Sequence, residues 1–470
     1  MTDALVIGSG PNGLSAALTL ARAGVRVTVL EASDEIGGGA RTTQPFGEGM
    51  LVDHCAAFHP MAVRSPALAG LEDYGLQWAW PEIDAGHPLD DAPPGLLHRS
   101  VDTTATGLGA DARRWRRLFG APSRAWGRLA DDVLGPVVHL PRHPLLMGRF
   151  GAPTLLPAAV LARLFRTEQA RALFLGTAAH AMRPLSEVLS SAIAMGILTA
   201  GHHDGWPVVV GGTQALTDAM AKALVDLGGK IETGVPVTSV RRLPPADAVL
   251  LNLAPTAALR LYDDQLPSGT RRAYRRYRYG PAAFKVDFAV EQGVPWRDAE
   301  LGRAGTVHLG GGPAEIIAGE AAVSAGRMPE RPFVLLGQQF VADPSRSRGD
   351  VHPVYSYAHV PTGYDGDATE AITAQIERFA PGFRERVVDI HVTRPGDFSA
   401  GNENWVGGDI LTGAKSPASL VLGPRPGRNP YRTGVRGVYL CSAAAPPGPG
   451  AHGMAGRRAA RLALRDLGLA

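Results

Sequence analysis

Three glycines near the N-terminus have the spacing of a loop that binds the phosphates of a dinucleotide. Gly8, Gly10 and Gly13 form a G-x-G-x-x-G pattern between an apolar run, 4–7, and a helix-like run, 14–23. The first glycine permits a tight turn, the second lets the backbone approach a pyrophosphate, and the third lets helix and strand pack closely. Free N–H groups at the start of the helix would then face phosphate. The pattern predicts a dinucleotide-binding βαβ unit.

An acidic residue and a second glycine cluster follow at positions that suit the same ligand. Glu31 closes the second predicted strand, 25–30, where a carboxylate can bind ribose hydroxyls. Segment 36–42 reads Ile-Gly-Gly-Gly-Ala-Arg-Thr, which offers another close backbone approach and a cation beside the ligand. NAD dehydrogenases usually lack this extension. The glycine pattern occurs once, so no separate pyridine-nucleotide domain of this type is predicted.

The elements that must position these residues are spread along the whole chain. Residues 100–200 have a mainly helical pattern broken by prolines, and 262–397 alternate as an antiparallel sheet does. The stretches 205–261 and 437–467 return to short apolar strands, glycine turns and helices. Residues at both ends of the chain are therefore expected to build the same nucleotide-binding domain.

Composition and charge exclude several classes of protein. The chain has 470 residues, of which 19% are charged, and a formal net charge of +3, so a role in binding nucleic acid has little support. This length favours two intertwined domains over a single core. The basic run 271–278 is interpreted as a solvated surface helix, with a contact to lipid headgroups or to an acidic substrate as the alternative.

Cysteines and histidines form no recognisable metal or redox pattern. Cys55 and Cys441 have unrelated surroundings, which excludes a Cys-x-x-Cys motif and a disulfide scaffold. The histidines at 202–203, His139 and His143 lack a convincing carboxylate or cysteine partner in the sequence, so no metal site is predicted. No apolar run approaches the roughly 18 residues of a membrane span, and no signal segment is recognised. We expect a cytoplasmic protein, with peripheral membrane association left open.

Several segments give the chain a resemblance to one superfamily of flavoproteins. The stretch 8–42 resembles the flavin-binding start of the amine-oxidase and phytoene-desaturase superfamily. The glycine- and proline-rich tail, 439–456, resembles its closing flavin motif, and 205–213 with 228–233 resemble the middle of its FAD domain. The best-fitting branch is that of the phytoene-dehydrogenase-like oxidoreductases, which also resemble retinol saturases and carotenoid desaturases. Further features of that branch lie at 53–60, 279–287, 380–383 and 402–409.

The resemblance implies an α/β fold with two domains that are interleaved in sequence. One is a Rossmann-type FAD-binding domain of the glutathione-reductase-like, amine-oxidase/phytoene-desaturase type, expected over 1–98, 200–261 and 398–470. The other is an α+β substrate or cap domain, expected over 99–199 and 262–397. The cofactor implied is FAD, bound non-covalently.

The resemblance also implies which residues touch the cofactor and which take part in chemistry. Lys285 aligns with the lysine that holds a water near flavin N5 in amine-oxidase-like enzymes, where a cation tunes the flavin; the alternative is a strand lysine that pairs with Asp287 or faces solvent. His452 is a candidate proton donor or substrate contact, with loop packing as the alternative. The expected cofactor-binding residues are Gly8, Gly10, Pro11, Asn12, Gly13, Glu31, Ala32, Gly38, Gly39, Ala40, Arg41, Val237, Gly450, Gly453 and Met454.

The expected reaction is hydride transfer from a substrate C–H bond to flavin N5, with oxygen or a quinone as the final electron acceptor. The segment 145–182 is rich in leucine, alanine and phenylalanine, which favours an apolar, enclosed substrate or ordinary core packing. Three alternatives remain: an amine or amino-acid oxidase, a flavin-dependent saturase or isomerase, and a non-catalytic flavin-binding scaffold. Amine oxidases commonly have an aromatic residue at the position that matches Gly453, so glycine there disfavours an amine substrate.

Overall fold

The structure, a computed structural model, describes residues 2–427 and 429–469, which contain both helices and strands. The strands are β1 Asp3–Ile7, β2 Arg26–Leu30, β3 Thr42–Thr43, β4 Val52–Asp53, β5 Trp78–Ala79, β6 Ile83–His87, β7 Gly95–Leu97, β8 Val208–Val209, β9 Lys230–Glu232, β10 Ala248–Leu251, β11 Ala282–Glu291, β12 Ala304–Leu309, β13 Val334–Gly337, β14 Val351–Val360, β15 Val387–Thr393 and β16 Val438–Leu440.

The α-helices connect and cover these strands. They are α1 Pro11–Ala21, α2 Val101–Gly107, α3 Ala112–Arg124, α4 Trp126–Val133, α5 Pro144–Thr154, α6 Ala158–Leu161, α7 Glu168–Ala179, α8 Ser191–Asp204, α9 Gln214–Asp226, α10 Pro255–Tyr262, α11 Ser268–Arg275, α12 Pro313–Ser324, α13 Gln339–Ala342, α14 Thr369–Phe379, α15 Phe383–Arg386, α16 Pro395–Gly401, α17 Pro417–Leu422 and α18 Met454–Asp466.

A five-stranded parallel sheet gathers strands from three distant parts of the chain in the order β16-β10-β1-β2-β9. Strands β1, β10 and β16 are short, apolar and largely buried, as expected within a parallel sheet covered on both faces, whereas the edge strand β9 is more exposed. Helices α1, α9 and α18 contribute to the core on one side of this sheet. Ligands of such folds bind outside the carboxyl ends of the strands, and Gly8 and Glu31 follow the ends of β1 and β2.

A seven-stranded mixed sheet has the order β15-β11-β14-β13-β12-β6-β7. Strands β11 and β14 alternate in the way that the sequence predicts: Phe284, Val286 and Phe288 join a buried core on one face. Lys285 and Asp287 point to the opposite face. The combination of a parallel sheet and a second, mixed domain confirms the predicted fold class.

One predicted boundary differs from the observed sheet. Residues up to 98 were expected in the FAD-binding domain, whereas β6 and β7 lie at the edge of the seven-stranded sheet. Strand β6 pairs in parallel with β12, for example Ile83 with Ala304. A pairing between residues so distant in sequence leaves no local signal, because neither strand indicates its partner.

The helices α2 to α8 form a cap over the mixed sheet, in agreement with the helical pattern of residues 100–200. Within this cap His139 Nε2 lies 3.0 Å from Asp132 Oδ1, a partner that the sequence did not reveal. Among the described residues no single helix has the length and hydropathy to cross a membrane. Two consecutive helical segments, 144–154 and 158–164, meet that criterion only together and are bent by 96°.

Candidate active site

A cavity of about 1040 Å³ is lined by residues from both sheet domains and from the helical cap. One end lies at the carboxyl ends of β1 and β2 and is lined mainly by backbone and small residues. The other end lies between the helical cap and the inner face of the seven-stranded sheet and is lined by larger side chains. We call these the nucleotide end and the chamber. The residues of the nucleotide end include Gly8, Gly10, Pro11, Asn12, Glu31, Ala32, Gly38, Gly39, Ala40, Arg41 and Val237.

The glycine loop after β1 has no room for side chains. Gly8 has φ +96°, a conformation that disfavours residues with a Cβ. A Cβ on Gly13 would lie 1.9 Å from the carbonyl oxygen of Gly8, so the third glycine is required for packing of α1 against β1. Gly13 does not line the cavity formed by the described residues. It therefore shapes the loop rather than contributing to the cavity surface.

The start of α1 is open to a ligand. Gly10 is the N-cap residue and Pro11 the first helical residue, and no side chain caps the helix. The amide groups of the first turn are therefore available to an anion, and the helix dipole favours negative charge there. A Cβ on Gly10 would lie 3.0 Å from the side-chain nitrogen of Asn252, which follows β10. Asn252 also lines the cavity.

Glu31 is held in place by the loop that faces it. Its Oε2 accepts hydrogen bonds from the backbone N–H of Ser9 at 2.7 Å and from the Ser9 hydroxyl at 2.6 Å. Its Oε1 accepts a hydrogen bond from the backbone N–H of Ser33 at 3.0 Å. The carboxylate therefore has a fixed position at the end of β2, next to the cavity, as binding of ribose hydroxyls requires.

The second glycine cluster brings a cation to the nucleotide end. Residues Gly38–Ala40 form a 3₁₀ turn, and the Nε of Arg41 donates to the carbonyl oxygen of Gly38 at 2.9 Å. A Cβ on Gly39 would lie 2.7 Å from the ring of Trp405, so this turn packs tightly against a residue far along the chain. Arg41 lines the nucleotide end and brings a positive charge there.

The C-terminal helix packs directly on α1. A Cβ on Gly456 would lie 1.8 Å from the carbonyl oxygen of Asn12, and Gly453 has φ +68° with Ser15 2.9 Å from its built Cβ. Gly453 and Met454 are absent from the cavity surface within the described residues, whereas Gly450 contributes to it. A side chain at Gly453 would meet α1 rather than a substrate, so the glycine gives no information about an amine substrate.

His452 lines the cavity and is held as a neutral imidazole. Burial lowers the pKa of His452 to about 4, and its Nδ1 accepts a hydrogen bond from the backbone N–H of Met454 at 3.2 Å. The carbonyl group of His452 accepts from the Ser65 hydroxyl at 2.5 Å. These bonds fix the loop that enters α18. His452 remains a prediction as a proton donor or substrate contact, and its imidazole is neutral at pH 7.

Lys285 lies behind the cavity rather than on its surface. Its side chain is 3% exposed and forms an ion pair with Asp287, which is 1% exposed. The ammonium lies 4.6 Å from the ring centroid of Tyr355, and Tyr355 itself lines the chamber, whereas Lys285 does not border the cavity of the described residues. The structure thus has the pairing with Asp287 that was the alternative for this residue, with an added cation–π contact.

The chamber surface is predominantly apolar. Helices α5 and α8 contribute from the cap side, and β13 and β14 contribute from the sheet side. Tyr355 donates from its hydroxyl to the carbonyl oxygen of Cys55 at 2.7 Å, which joins the sheet to the loop after β4. The apolar and aromatic chamber residues are Phe58, Met61, Met147, Phe150, Leu155, Leu189, Ile193, Ile197, Trp206, Leu335, Tyr355 and Tyr357.

A pair of histidines adds polar groups at the sheet side of the chamber. His180 lines the cavity, and its Nε2 lies 2.9 Å from Nε2 of His308. Burial lowers the pKa of His180 to about 3 and that of His308 well below its ordinary value. Both imidazoles are therefore neutral at pH 7. Sequence reasoning missed this pair because the residues lie on different elements with nothing local to connect them.

Two family models match the chain. A Rossmann-like NAD(P)-binding domain matches residues 6–80, and the model described as flavin-containing amine oxidoreductase matches residues 141–464, more than half of the chain. The chain belongs to the flavin-containing amine oxidoreductase family. FAD is accordingly its cofactor, held non-covalently as is typical of this family, and the protein is an oxidoreductase.

Two curated proteins are similar over long stretches. Mouse pyridine nucleotide-disulfide oxidoreductase domain-containing protein 2 is 25% identical, over 99% of this chain and 94% of its own length. Hydroxyneurosporene desaturase of Cereibacter sphaeroides is 27% identical, over 54% of this chain and 57% of its own length. A solved structure of putrescine oxidase bound to putrescine has a TM-score of 0.63 at 18% identity, with 99% of each chain covered. This last similarity concerns the fold.

The nucleotide end fits the FAD of this flavin-containing amine oxidoreductase. The glycine loop leaves no space for side chains, the start of α1 offers amides without a capping side chain, and Arg41 supplies a positive charge. Glu31 is positioned for ribose, and Ala32 and Val237 border the same end. These groups would hold the pyrophosphate and a ribose of FAD.

Proposed function

We propose that this flavin-containing oxidoreductase is a dehydrogenase or desaturase that removes hydride from a C–H bond of an apolar organic substrate. The observation that carries the proposal is the predominantly apolar surface of the chamber at the end of the cavity away from Glu31. Oxygen or a quinone is proposed as the final electron acceptor. When bound, FAD supplies a two-electron acceptor for C–H oxidation.

The chain's own residues would bind and orient the substrate and keep water away from it. Ile193 and Phe150 of the cap lie on the cavity surface, as do Leu335 and Tyr357 of the sheet. Burial of an apolar molecule between such residues is favourable by about 25 cal/mol for each Å² removed from water. Burial raises the pKa of Cys55 to about 12, so this thiol stays protonated and does not add charge to the chamber.

Orientation would account for much of the acceleration, because a substrate fixed between two rigid surfaces reacts as if intramolecularly. The bond from Tyr355 to Cys55 ties β14 to the loop that passes between the two ends of the cavity. Tyr355 also borders the chamber, so its ring has a defined position against which a substrate can pack.

Oxidation of an amine is the second candidate, and one observation favours it. Tyr355 and Tyr357 both line the chamber, with ring centroids 5.9 Å apart and nearly perpendicular planes. Aromatic faces of this kind can bind a cationic amine. The family match to amine oxidoreductases is consistent with such a substrate.

Anaerobic titration of the FAD-loaded protein distinguishes the two candidates. Apolar alkenes, including hydroxyneurosporene, and amines, including putrescine, would be added separately while the visible band of oxidised flavin is recorded. The proposal expects bleaching by alkenes and none by amines, with a new C=C bond in the product. Bleaching by amines alone would contradict the proposal and favour the second candidate.

A further inference from the structure

An exposed apolar surface lies on the helical cap beside the chamber. Eight of the seventeen large hydrophobic side chains that are exposed in the described residues fall between positions 137 and 164. Leu140 and Leu145 are 95% and 93% exposed. An exposed apolar group of this kind usually marks an interaction site. We call it the apolar cap face, which consists of Val137, Val138, Leu140, Leu145, Leu155, Leu156, Val160 and Leu164.

The stretch of sequence that carries the apolar cap face contains basic residues and no acidic ones. No aspartate or glutamate occurs between residues 133 and 167, whereas the stretch contains four arginines. Arg142 pairs with Asp131 at 2.9 Å, but Arg149 and Arg163 form no ion pair with any residue that the structure describes. Both are exposed. An apolar surface with unpaired cations at its edge is complementary to a bilayer that contains anionic lipids.

The apolar cap face and the chamber share residues. Val137 is 55% exposed and Leu155 is 61% exposed, and both also line the cavity. The cavity therefore reaches the protein surface at this face. An apolar molecule dissolved in a bilayer could pass into the chamber here without crossing water, which would cost free energy in proportion to its apolar area.

We propose that the apolar cap face docks on the surface of an anionic lipid bilayer and that apolar substrate enters the chamber from the lipid. The helical segments 144–154 and 158–164, which are bent by 96° relative to each other, lie in the headgroup region without spanning the membrane. Leu140 and Leu145 insert among the acyl chains, and Arg149 and Arg163 contact the lipid phosphates. The docking is a property of the protein surface and does not depend on which reaction the chamber performs.

Flotation of the FAD-loaded protein with vesicles tests the docking without any substrate. Phosphatidylcholine vesicles would be compared with vesicles that also contain phosphatidylglycerol. The wild type is expected to float with the anionic vesicles several-fold more than with neutral ones. The double variant Leu140→Glu/Leu145→Glu is expected to lose roughly tenfold or more of its vesicle affinity, because charges replace the two most exposed anchors.

Two further variants keep the test specific. Val225→Glu adds a carboxylate at a position on α9 that is 60% exposed and distant in sequence from the cap, so it should leave vesicle binding intact. Arg149→Gln/Arg163→Gln should remove most of the preference for anionic vesicles while weak binding to neutral vesicles persists. All variants change exposed side chains, and retained flavin content would verify folding.

Two outcomes would overturn the docking. One is equal flotation of the wild type and the Leu140→Glu/Leu145→Glu variant. The other is no flotation together with a concentration-dependent dimer that this variant abolishes in sedimentation, since a second copy would then cover the face. Failure of the anaerobic substrate titration, in contrast, would contradict the proposed reaction and leave vesicle binding unchanged.

Discussion

The two ends of the cavity are built in different ways. At the nucleotide end the backbone itself forms the surface, and the built Cβ of Gly13 comes within 1.9 Å of the Gly8 oxygen. In the chamber, side chains from α5, α8, β13 and β14 meet across the space between the cap and the sheet. The first end tolerates almost no change in shape, whereas the second can change its side chains while the backbone stays the same. The backbone of the nucleotide end therefore restricts which cofactor can bind more strictly than the side chains of the chamber restrict the substrate.

The largest expected effect is a loss of bound FAD when a methyl group is added at the nucleotide end. Gly13→Ala would place a Cβ closer to the Gly8 carbonyl oxygen than van der Waals contact allows. The glycine loop or α1 must then move, and the purified protein should contain little or no FAD. Gly319→Ala is the matched control, because nothing lies within 4 Å of its built Cβ in α12. The control should retain FAD, measured by absorbance after release. Full flavin content in Gly13→Ala would refute the rigid-loop account.

A large loss of stability is expected from breaking the buried ion pair between Lys285 and Asp287. Lys285→Met would leave the carboxylate of Asp287 buried without a partner, which typically costs about 3–5 kcal/mol of unfolding free energy. Lys285→Met/Asp287→Asn removes the charge and should recover much of that loss in urea denaturation. Reoxidation of reduced flavin should be similar in both variants and the wild type. Slow reoxidation that persists in the stabilised double variant would instead indicate a role for Lys285 at the flavin.

A moderate loss of substrate affinity is expected when a polar group is introduced into the chamber. Ile193→Asn would bury an amide without a partner when an apolar substrate binds, at a cost of about 1–3 kcal/mol, or roughly tenfold in Kd. FAD content should stay at the wild-type level, because Ile193 belongs to the chamber. The FAD content is measured from the flavin absorbance before the titration, and the Kd from the change in that absorbance during it. Loss of FAD in this variant would show that the two ends are not independent.

The smallest expected effect is a change in the pH dependence of stability when a buried histidine outside the cavity is replaced. Burial lowers the pKa of His202 to about 4, and the Nε1 of Trp115 donates to it at 2.8 Å. Between pH 6.5 and 4 the unfolded state therefore binds more protons, so stability falls as the pH falls. His202→Gln keeps an acceptor for Trp115 and should lose about 2 kcal/mol less than the wild type from pH 7 to 5. An unchanged pH dependence would show that His202 is not held neutral.

The predicted residues of the nucleotide end are close together in the chain, so that the sequence alone reveals them as one pattern. Gly8, Gly10, Glu31 and Arg41 lie within one βαβ unit and its extension, and each borders the cavity at the predicted end. The resemblance to flavoproteins further indicated that Gly450 and His452 would lie near the same cavity. Gly13 and Gly453 are also predicted to bind the cofactor; they do not line the cavity of the described residues, and their closest neighbours are Gly8 and Ser15, respectively.

The chamber could not be predicted in the same way, since its residues meet only through tertiary packing. Alternation indicated a strand around Lys285 and the partner Asp287, but not that Tyr355 would separate the lysine from the cavity. Likewise, His180 and His308 become neighbours only when α7 packs near β12. The pairing of β6 with β12, which shifts a predicted domain boundary, has the same cause.

The most direct test of the central claim is anaerobic titration of the FAD-loaded wild type with apolar alkenes. The account predicts that the visible flavin band bleaches as the alkene is converted to a product with one more C=C bond. It also predicts that Ile193→Asn, with its full complement of FAD, needs more alkene for the same bleaching. Protein that contains no FAD after reconstitution, or FAD that is reduced by amines and by no alkene, would contradict the account.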